Sequence, residues 1–549
     1  MKRVGLTLAA ATSLLATACT SSTTPTPKPA PTCASSATTS GTPSSTTSGW
    51  TLPGGDLENT RDVPSAINPS NVASLGVAWC VPIAPSPPSA ATAGFYSTTP
   101  VVVNGVVYTQ DLESNVIAIT LATGKLLWEH MYNSPDSGPN GVTVVNGTVY
   151  AATAKAAVAL DASTGKQLWT RTLTRSATEG IDMAPGYNDG TVYLSTDPVS
   201  TVNSSYAGGG KGTFFALNAS TGAIDWTWDE VQNLWGVTPR ETALNSGGGL
   251  WDPPSFDSQG NIYIGIANPG PIASRGWPAG YPFATSRPGP NLYTDSVAKL
   301  SPQGRLLWYY QLTPHDLYDW DLQDSPVLTT ANGQPVVIDG GKAGILIELN
   351  AETGALLWKL PVGMHNGHDD DGLIAENATP ASNVPLPTTF TLEPGPFGGI
   401  ESQLATDGTT VYAAVNNLAV PLSPQGLAES EAQLGASVTS ATGEIVAVNQ
   451  DTGKIQWDTK LPSSPYGATA VTDGVVFTTT FDGDLYALNA TTGAILMHTP
   501  MSAGTNAPVT IDGDYVIAGA GAPFAKTQQP LIIAYTIGGN GRLPDVVGS

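Results

Sequence analysis

The sequence predicts an all-β protein, an eight-bladed β-propeller with four-stranded antiparallel blades closed by its N- and C-terminal strands. Three observations carry that reading. The first is composition: 549 residues hold 60 Gly, 45 Pro and 13 Trp but only 12% charged residues, a balance that favours many turns and few long helices. The second is a repeat. An alternating aliphatic strand, a turn ending in Thr-Gly or a near variant, a second strand and a Trp recur as VIAITLATGKLLW to Trp128, AVALDASTGKQLW to Trp169, FFALNASTGAIDW to Trp226, AKLSPQGRLLW to Trp308, LIELNAETGALLW to Trp358 and IVAVNQDTGKIQW to Trp457. A further copy, LYALNATTGAILM, has Met497 where the Trp is expected. The third is the count. Trp79, closing NPSNVASLGVAW, has no hairpin ahead of it, so its blade borrows strands from the C-terminal VTIDGDYVIAGAG region, which makes eight units of about 60 residues, four strands with loops.

Each repeat reads as a β-hairpin whose turn needs φ > 0 at Gly124, Gly165, Gly222, Gly304, Gly354, Gly453 and Gly493. The Trp supplies one large apolar surface per repeat for docking neighbouring sheets. Closure by both termini removes free sheet edges at the ends of the chain. The spacing is longest between Trp226 and Trp308 and between Trp358 and Trp457, which places extra residues in loops on one face.

The N-terminus reads as an export signal. Lys2 and Arg3 precede an apolar run from Val4 to Ala18, shorter than the roughly 20 residues of a spanning helix, so a cleaved signal peptide over 1–18 is expected. Ala16-Thr17-Ala18-Cys19 resembles the lipobox of bacterial lipoproteins, with Ala16 where Leu is commoner. Lipidation at Cys19 would hold the mature protein on the outer face of a membrane by more than one acyl chain; the alternative is an ordinary signal peptide with the Cys incidental. Residues 19–49 are Ser/Thr/Pro-rich and read as a disordered tether, leaving 50–549 for the propeller. No later segment looks transmembrane. Cys33 and Cys80 either form a bridge or remain two thiols, in an extracytoplasmic compartment that permits either. With 21 basic against 44 acidic groups and a net charge of −23, the chain is ill suited to binding a nucleic-acid backbone. GxGxxG, Walker, HExxH and GxSxG signatures are not apparent, so nucleotide, zincin and serine-hydrolase readings have no support.

Two segments carry chemistry. In TPHDLYDWDLQD, from Thr313 to Asp324, Asp319 and Asp321 lie two residues apart. On a strand they would point in parallel, so both address one ligand only where the chain bends into a loop. In MHNGHDDDGL, His365, His368 and Asp369 to Asp371 are dense enough to bind a metal or to line a substrate mouth, or they form a polar loop.

From about Trp50 to Asn540 the chain resembles the quinoprotein alcohol dehydrogenases, eight-bladed propellers that carry pyrroloquinoline quinone. The repeats, the segment GGDLENTRDVPSAINPSNVASLGVAW and the block from GGGLWDPPSFDSQGNIYIGIANPGP to NLYTDSVAKLSPQGRLLWYYQLTPHDLYDWDLQDSPVL carry the resemblance. It implies that Trp251 is the indole floor beneath the quinone and that Asn268 in IANPGP ligates the active-site metal. It makes Asp319 the catalytic base, also at the metal. Asp321 becomes the additional carboxylate that marks lanthanide-type rather than calcium-type sites, a correlation with a physical basis because extra negative charge offsets a trivalent ion. Lys342 in GGKAGIL matches the cation beside the quinone oxygens, and Asn416 and Asn417 in AAVNNLAV match a cofactor-contacting amide. The implied cofactors are the quinone with Ca²⁺ or a lanthanide, and the implied substrate is a small alcohol or aldehyde. The chain has no Cys-x-x-Cys-His haem segment, so the electron acceptor is an external cytochrome or other redox protein.

The chain also departs from that pattern. The family's adjacent cysteines and the Arg that grips the quinone carboxylates correspond to SPDSGPNGVTVV, with Asn140 near the expected Arg. A Glu ligand is missing from YLSTDPVSTVNSSYAGGGKGTF, where Asp197 lies nearby. Asp182 in GIDMAP replaces a hydroxyl and repels a cofactor carboxylate unless a metal or proton intervenes. The rival expectation is therefore a non-catalytic propeller serving as an envelope binding or assembly scaffold, followed by metal-dependent sugar or polyol binding without redox. Fold alone does not choose among them.

Overall fold

Every repeat hairpin forms where the sequence places it in the computed structural model, which describes residues 33, 49–83, 96–198, 210–232, 235, 245–270, 284–285, 287–379, 381–387, 389–422, 440–523 and 528–544. Seven blades occupy 101–130, 142–172, 186–229, 255–311, 327–361, 405–461 and 470–500. In each, consecutive strands pair antiparallel. First strands of neighbouring blades, such as Val101–Val103 and Val142–Val145, touch one another around the axis. The third strands, such as Val116–Thr120 and Ile345–Asn350, are buried on both faces between blades, which is why they read as near-continuous aliphatic runs. The fourth strands lie on the outer rim and are half exposed.

The eighth blade joins the chain ends as expected. Strands Thr510–Asp512, Tyr515–Ala520 and Leu531–Ile537 are completed by Leu75–Pro82, which pairs antiparallel from Leu75 opposite Ile537 to Pro82 opposite Leu531. Cys33 is bonded to Cys80 of that strand, which resolves the alternative left open by the sequence. The signal peptide 1–18 and Cys19 lie outside the described residues. Among the described residues no helix is long and apolar enough to cross a membrane.

Blade docking follows one rule. The indole N–H of each repeat Trp donates to a backbone carbonyl of the next blade: Trp79 to Leu121 (2.6 Å), Trp128 to Ala162 (2.9 Å), Trp169 to Ala219 (2.9 Å), Trp226 to Pro302 (3.1 Å), Trp308 to Ala351 (3.1 Å), Trp358 to Gln450 (2.9 Å) and Trp457 to Ala490 (2.9 Å). The ring then covers the hairpin glycine of that same blade, where a Cβ would come within 2.5–2.8 Å of the indole. These glycines meet two demands at once, a positive φ of 62–75° and contact with an aromatic face. Met497 breaks the series for a structural reason. The next blade is the one closed by the N-terminal strand, so it offers no hairpin, and the strand Ile495–Pro500 instead lies against the 3₁₀ turn Val72–Ser74.

The segment 50–66 closes one end of the axis. Its backbone carbonyls accept from Val102, Phe256, Leu328, Thr406 and Val471, and its Ala66 N–H donates to Gly513, so it touches six of the eight blades. Arg61 is fully buried there, donating to the carbonyls of Thr469 (2.7 Å), Pro53 (3.1 Å) and Val509 (3.3 Å), with its guanidinium 5.0 Å from the Trp50 ring.

Candidate functional site

The long fourth-to-fifth-blade region builds the site. In the run GGGLWD, Gly249 adopts φ +111°, and a Cβ there would lie 2.6 Å from that of Asp197; only glycine lets this strand pass so close to the third blade. The strand is paired with the one bearing Asn268: Gly248 N–H donates to the Asn268 carbonyl (2.9 Å) and Ala267 N–H to that of Gly249 (3.0 Å). Trp251 follows two residues after Gly249.

The loop after Leu312 is turned by Asp316, whose carboxylate accepts from the N–H groups of Tyr318 (2.9 Å) and Trp320 (3.0 Å). Within that turn Asp319 sits in the left-handed region, φ 67°, so its side chain leaves the alternating pattern of a strand. Asp319 and Asp321 consequently converge. Lys342 Nζ pairs with Asp321 and lies 3.5 Å from Asp319 Oδ2, while Asn268 donates its amide N–H to Asp319 Oδ1 (2.8 Å) and its backbone N–H to Asp321 Oδ1 (2.7 Å). The ammonium stands 4.5 Å from the centre of the Trp251 ring. Five residues singled out in the sequence, from four separate stretches of chain, therefore form one cluster.

Its electrostatics are those of a dry site. Burial pushes the Asp319 carboxyl up to about 7; Lys342 pulls it down, and Asp321 and Asp316 push it up. Burial alone would lower Lys342, but Asp319, Asp321 and Glu401 hold its ammonium well above the ordinary range. Glu401 was not legible in the sequence. It is pushed up to about 8, mainly by burial, and one of its carboxyl oxygens has no hydrogen-bond partner. Asp295, fully buried with neither oxygen partnered, is also raised well above the ordinary range by burial and by Asp316 and Asp321. Neither follows a motif, and both reach the cluster only through the folding of distant loops.

The two asparagines separate. Asn417 uses its amide on Glu444 (3.1 Å) and accepts from Met364 N–H (3.0 Å). Asn416 is buried with both amide atoms unpartnered, and its backbone pairs in both directions with Gly399, which packs on the Lys342 carbonyl. A buried amide without partners is costly unless something occupies its reach, so the later blades fit a polar cofactor beside Lys342. For a metal, the oxygen donors at this place are Asp319, Asp321 and Asn268. Among the described residues no three acidic or imidazole side chains form a ready-made cage.

The early blades are built differently. Asp182 lies between Asp136 and Asp197, hydrogen-bonded to both, and burial raises all three. Next to Asp197, Glu230 accepts from Ser195 Oγ (2.6 Å) and from Gly249 N–H and is pushed up to about 8 by burial. On top of burial, Asp182 drives Asp136 and Asp197 well above the ordinary carboxylate range, while its bonds to them restrain its own rise. Asn140 takes no part: its amide bridges Thr98 Oγ1 (2.7 Å) and the Asp111 carbonyl (2.8 Å). In MHNGHDDDGL the imidazoles pair internally, His365 with Asp369 and His368 with Asp371, rather than converging as metal ligands.

Comparison with known proteins bears on the fold and the family. The family described as "Glucose/ethanol/alcohol dehydrogenase, beta-propeller domain" matches residues 50–143 and 190–394, more than half of the chain. The outer membrane protein assembly factor BamB family matches 112–250 and 440–535. A quinohemoprotein alcohol dehydrogenase of Comamonas testosteroni is 27% identical over 91% of this chain and 78% of its own; its crystal structure superposes with a TM-score of 0.74 at 24% identity, covering 91% and 82% of the two chains. A protein of Thauera butanivorans named 1-butanol dehydrogenase (cytochrome c) is 26% identical over 90% of this chain and 79% of its own. The structure of a europium-containing methanol dehydrogenase shares the fold, with a TM-score of 0.70 at 18% identity over 89% of this chain and 98% of the other. By the extent of the family match, by the relatives and by the eight-bladed fold, the chain belongs to the pyrroloquinoline-quinone family of glucose, ethanol and alcohol dehydrogenase β-propellers.

Proposed function

We propose that the protein is an extracytoplasmic quinoprotein dehydrogenase that oxidises a small alcohol or aldehyde, using pyrroloquinoline quinone and a bound Ca²⁺ or lanthanide ion, and passes electrons to a separate redox protein such as a cytochrome. The supporting observation is the convergence of Asp319, Asp321, Asn268 and Lys342 beside the Trp251 ring. The quinone, when bound, supplies a two-electron acceptor, and the metal supplies Lewis acidity. Trp251 offers a flat face, the unpartnered amide of Asn416 offers a donor and an acceptor, and Asp319, Asp321 and Asn268 offer the metal's oxygen ligands.

The chain's own part is proton handling. Asn268 occupies Oδ1 of Asp319, so Oδ2, 3.5 Å from the Lys342 ammonium, is the oxygen that takes the hydroxyl proton of the substrate. A carboxyl held near 7 by burial is basic enough for that task and still ionised in part at neutral pH. Lys342 stabilises negative charge that develops beside it, and Asp321 keeps that ammonium in place. Residues 1–18 are read as a signal peptide, 19–49 as a tether anchored through Cys19, and 50–549 as the catalytic propeller.

The test is reconstitution. Purified protein incubated with the quinone and either Ca²⁺ or a light lanthanide should reduce an artificial dye when given a simple alcohol. Absence of dye reduction with any metal across an alcohol and aldehyde panel would sink this reading in favour of a binding or assembly scaffold, the alternative that the BamB-type match supports.

A further inference from the structure

The segment 363–376, after the fifth blade, is not used by the site as described, yet it touches several of the site's supports. Met364 N–H donates to Asn417, the neighbour of Asn416. His365 Nε2 lies 3.1 Å from the carbonyl of Gly344, two residues beyond Lys342. Gly289 N–H donates to the Glu376 carbonyl (2.6 Å), and the Gly289 carbonyl meets His315 Nδ1 (3.0 Å) at the head of the Asp319 loop. At the centre is Asp371, 5% exposed, whose Oδ2 accepts both the phenol of Tyr318 and Nδ1 of His368 (2.7 Å). The His368 ring is itself stacked on Phe390 at 3.8 Å.

Tyr318 immediately precedes Asp319. A non-glycine residue in the left-handed region costs on the order of 1–3 kcal/mol and persists where its surroundings hold it. The Asp316 carboxylate shapes the turn from within, and its carbonyl accepts from Arg287 Nη2 (2.7 Å). Trp320 Nε1, donating to the Pro394 carbonyl (3.2 Å), and the Tyr318 phenol are two further side-chain anchors that reach outward from the loop. The second is specific: Tyr318 is 1% exposed, and a phenylalanine would fill the same space without the bond. Since a buried phenol needs an acceptor and a buried carboxylate needs donors, the three side chains satisfy one another.

We propose that Tyr318, Asp371 and His368 form a positioning latch that docks the outer segment on the Asp319 loop and keeps Asp319 aligned with Asn268 and Lys342. The functional half of this rests on the reading of Asp319 as the base. Tyr318→Phe and Asp371→Asn remove the latch without emptying the core. Hydrogen–deuterium exchange on the cofactor-free protein should show amides 316–321 exchanging several-fold faster than in wild type, with the rest of the propeller unchanged. In the reconstituted enzyme kcat should fall by about tenfold or more while KM stays within about twofold, as expected for misplacement of a reacting group. His368→Gln should reproduce both effects in weaker form. Unchanged exchange at 316–321 in both variants overturns the latch whatever the activity, and faster exchange with unchanged kcat overturns its positioning role. Faster exchange in a protein whose wild type turns over no alcohol leaves the docking established and refutes the dehydrogenase reading instead.

Discussion

Lys342 carries its ammonium 4.5 Å from the centre of the Trp251 ring while pairing with Asp321 on the adjoining loop. One cation thus serves an aromatic face and two carboxylates in a buried site, and it is the main counter-charge that restrains the rise of Asp319. Lys342→Met should lower turnover by at least about a hundredfold, the scale on which a preorganised charge acts in a dry site. A base works when ionised, so activity is lost as pH falls through its pKa. Without Lys342 that pKa climbs, and the acid limb of the kcat/KM profile should move to higher pH. An unmoved acid limb would argue that a group other than Asp319 accepts the proton.

The docking rule gives an asymmetric expectation for the repeat tryptophans. Trp457→Met removes an indole that covers Gly493 and donates to Ala490 and should cost about 1–3 kcal/mol. Met497→Trp, which restores the repeat consensus, should yield no stabilisation, because the adjoining blade lacks the hairpin that would receive the ring, and overpacking there costs about 1–3 kcal/mol. Gly354→Ala, forced against the Trp308 ring at φ +70°, should lower the melting temperature. Thermal denaturation of the three variants checks the rule, and a higher melting temperature for Met497→Trp would contradict it.

Buried acids make the cofactor-free protein sensitive to alkali. Glu230 and Glu401 are pushed up to about 8 and Asp252 to about 7, each chiefly by burial. Because these folded-state values exceed the unfolded ones, the stability they contribute is fully present below about pH 4 and is lost as pH rises through 7 to 8. Each group is worth up to about 1.4 kcal/mol per pH unit within its window. The melting temperature should therefore decline from about pH 5 to pH 8.5, and Glu230→Gln should make the decline shallower. A flat profile for the wild type would show that the buried row is already neutralised by another means.

Arg61 ties the N-terminal segment to the axis through carbonyls in three stretches of chain, beside Asp252 and Asp324. Arg61→Ala leaves those acceptors and both acids without a cation and should destabilise the fold on the order of 3–5 kcal/mol. Arg61→Lys should recover only part of this, because a single ammonium does not reproduce the planar fork. Equal melting temperatures for wild type and Arg61→Lys would refute the geometric part of the argument.

Much of the architecture was legible before any coordinates. The strand-turn-strand-Trp repeat, the positive-φ glycines and closure through Trp79 all rest on local patterns of a dozen residues, and such patterns survive in one dimension. The same holds for the loop placing of Asp319 and Asp321, since two carboxylates at that spacing cannot converge on a straight strand. Less was legible of the site. The sequence displays Trp128 and Gly165, but not that the ring of one blade lands on the turn of the next; nor does any spacing connect Glu401 or Asp295 to Lys342. Nor does the sequence show the company Asp182 keeps, since only packing brings Asp136 and Asp197 to it, where the three carboxyls shift one another.

The sequence by itself determined the eight-blade count, the closure, the candidate later-blade residues and the departures in the early blades, because periodicity and residue type are local properties. The tertiary structure alone decided the Cys33–Cys80 bond, which of Asn416 and Asn417 is left unpartnered, that Lys342 gathers both carboxylates, and that Tyr318 is fastened to Asp371. These depend on which groups lose water together and which counter-charge they meet when they do, and burial is a property of the folded chain as a whole.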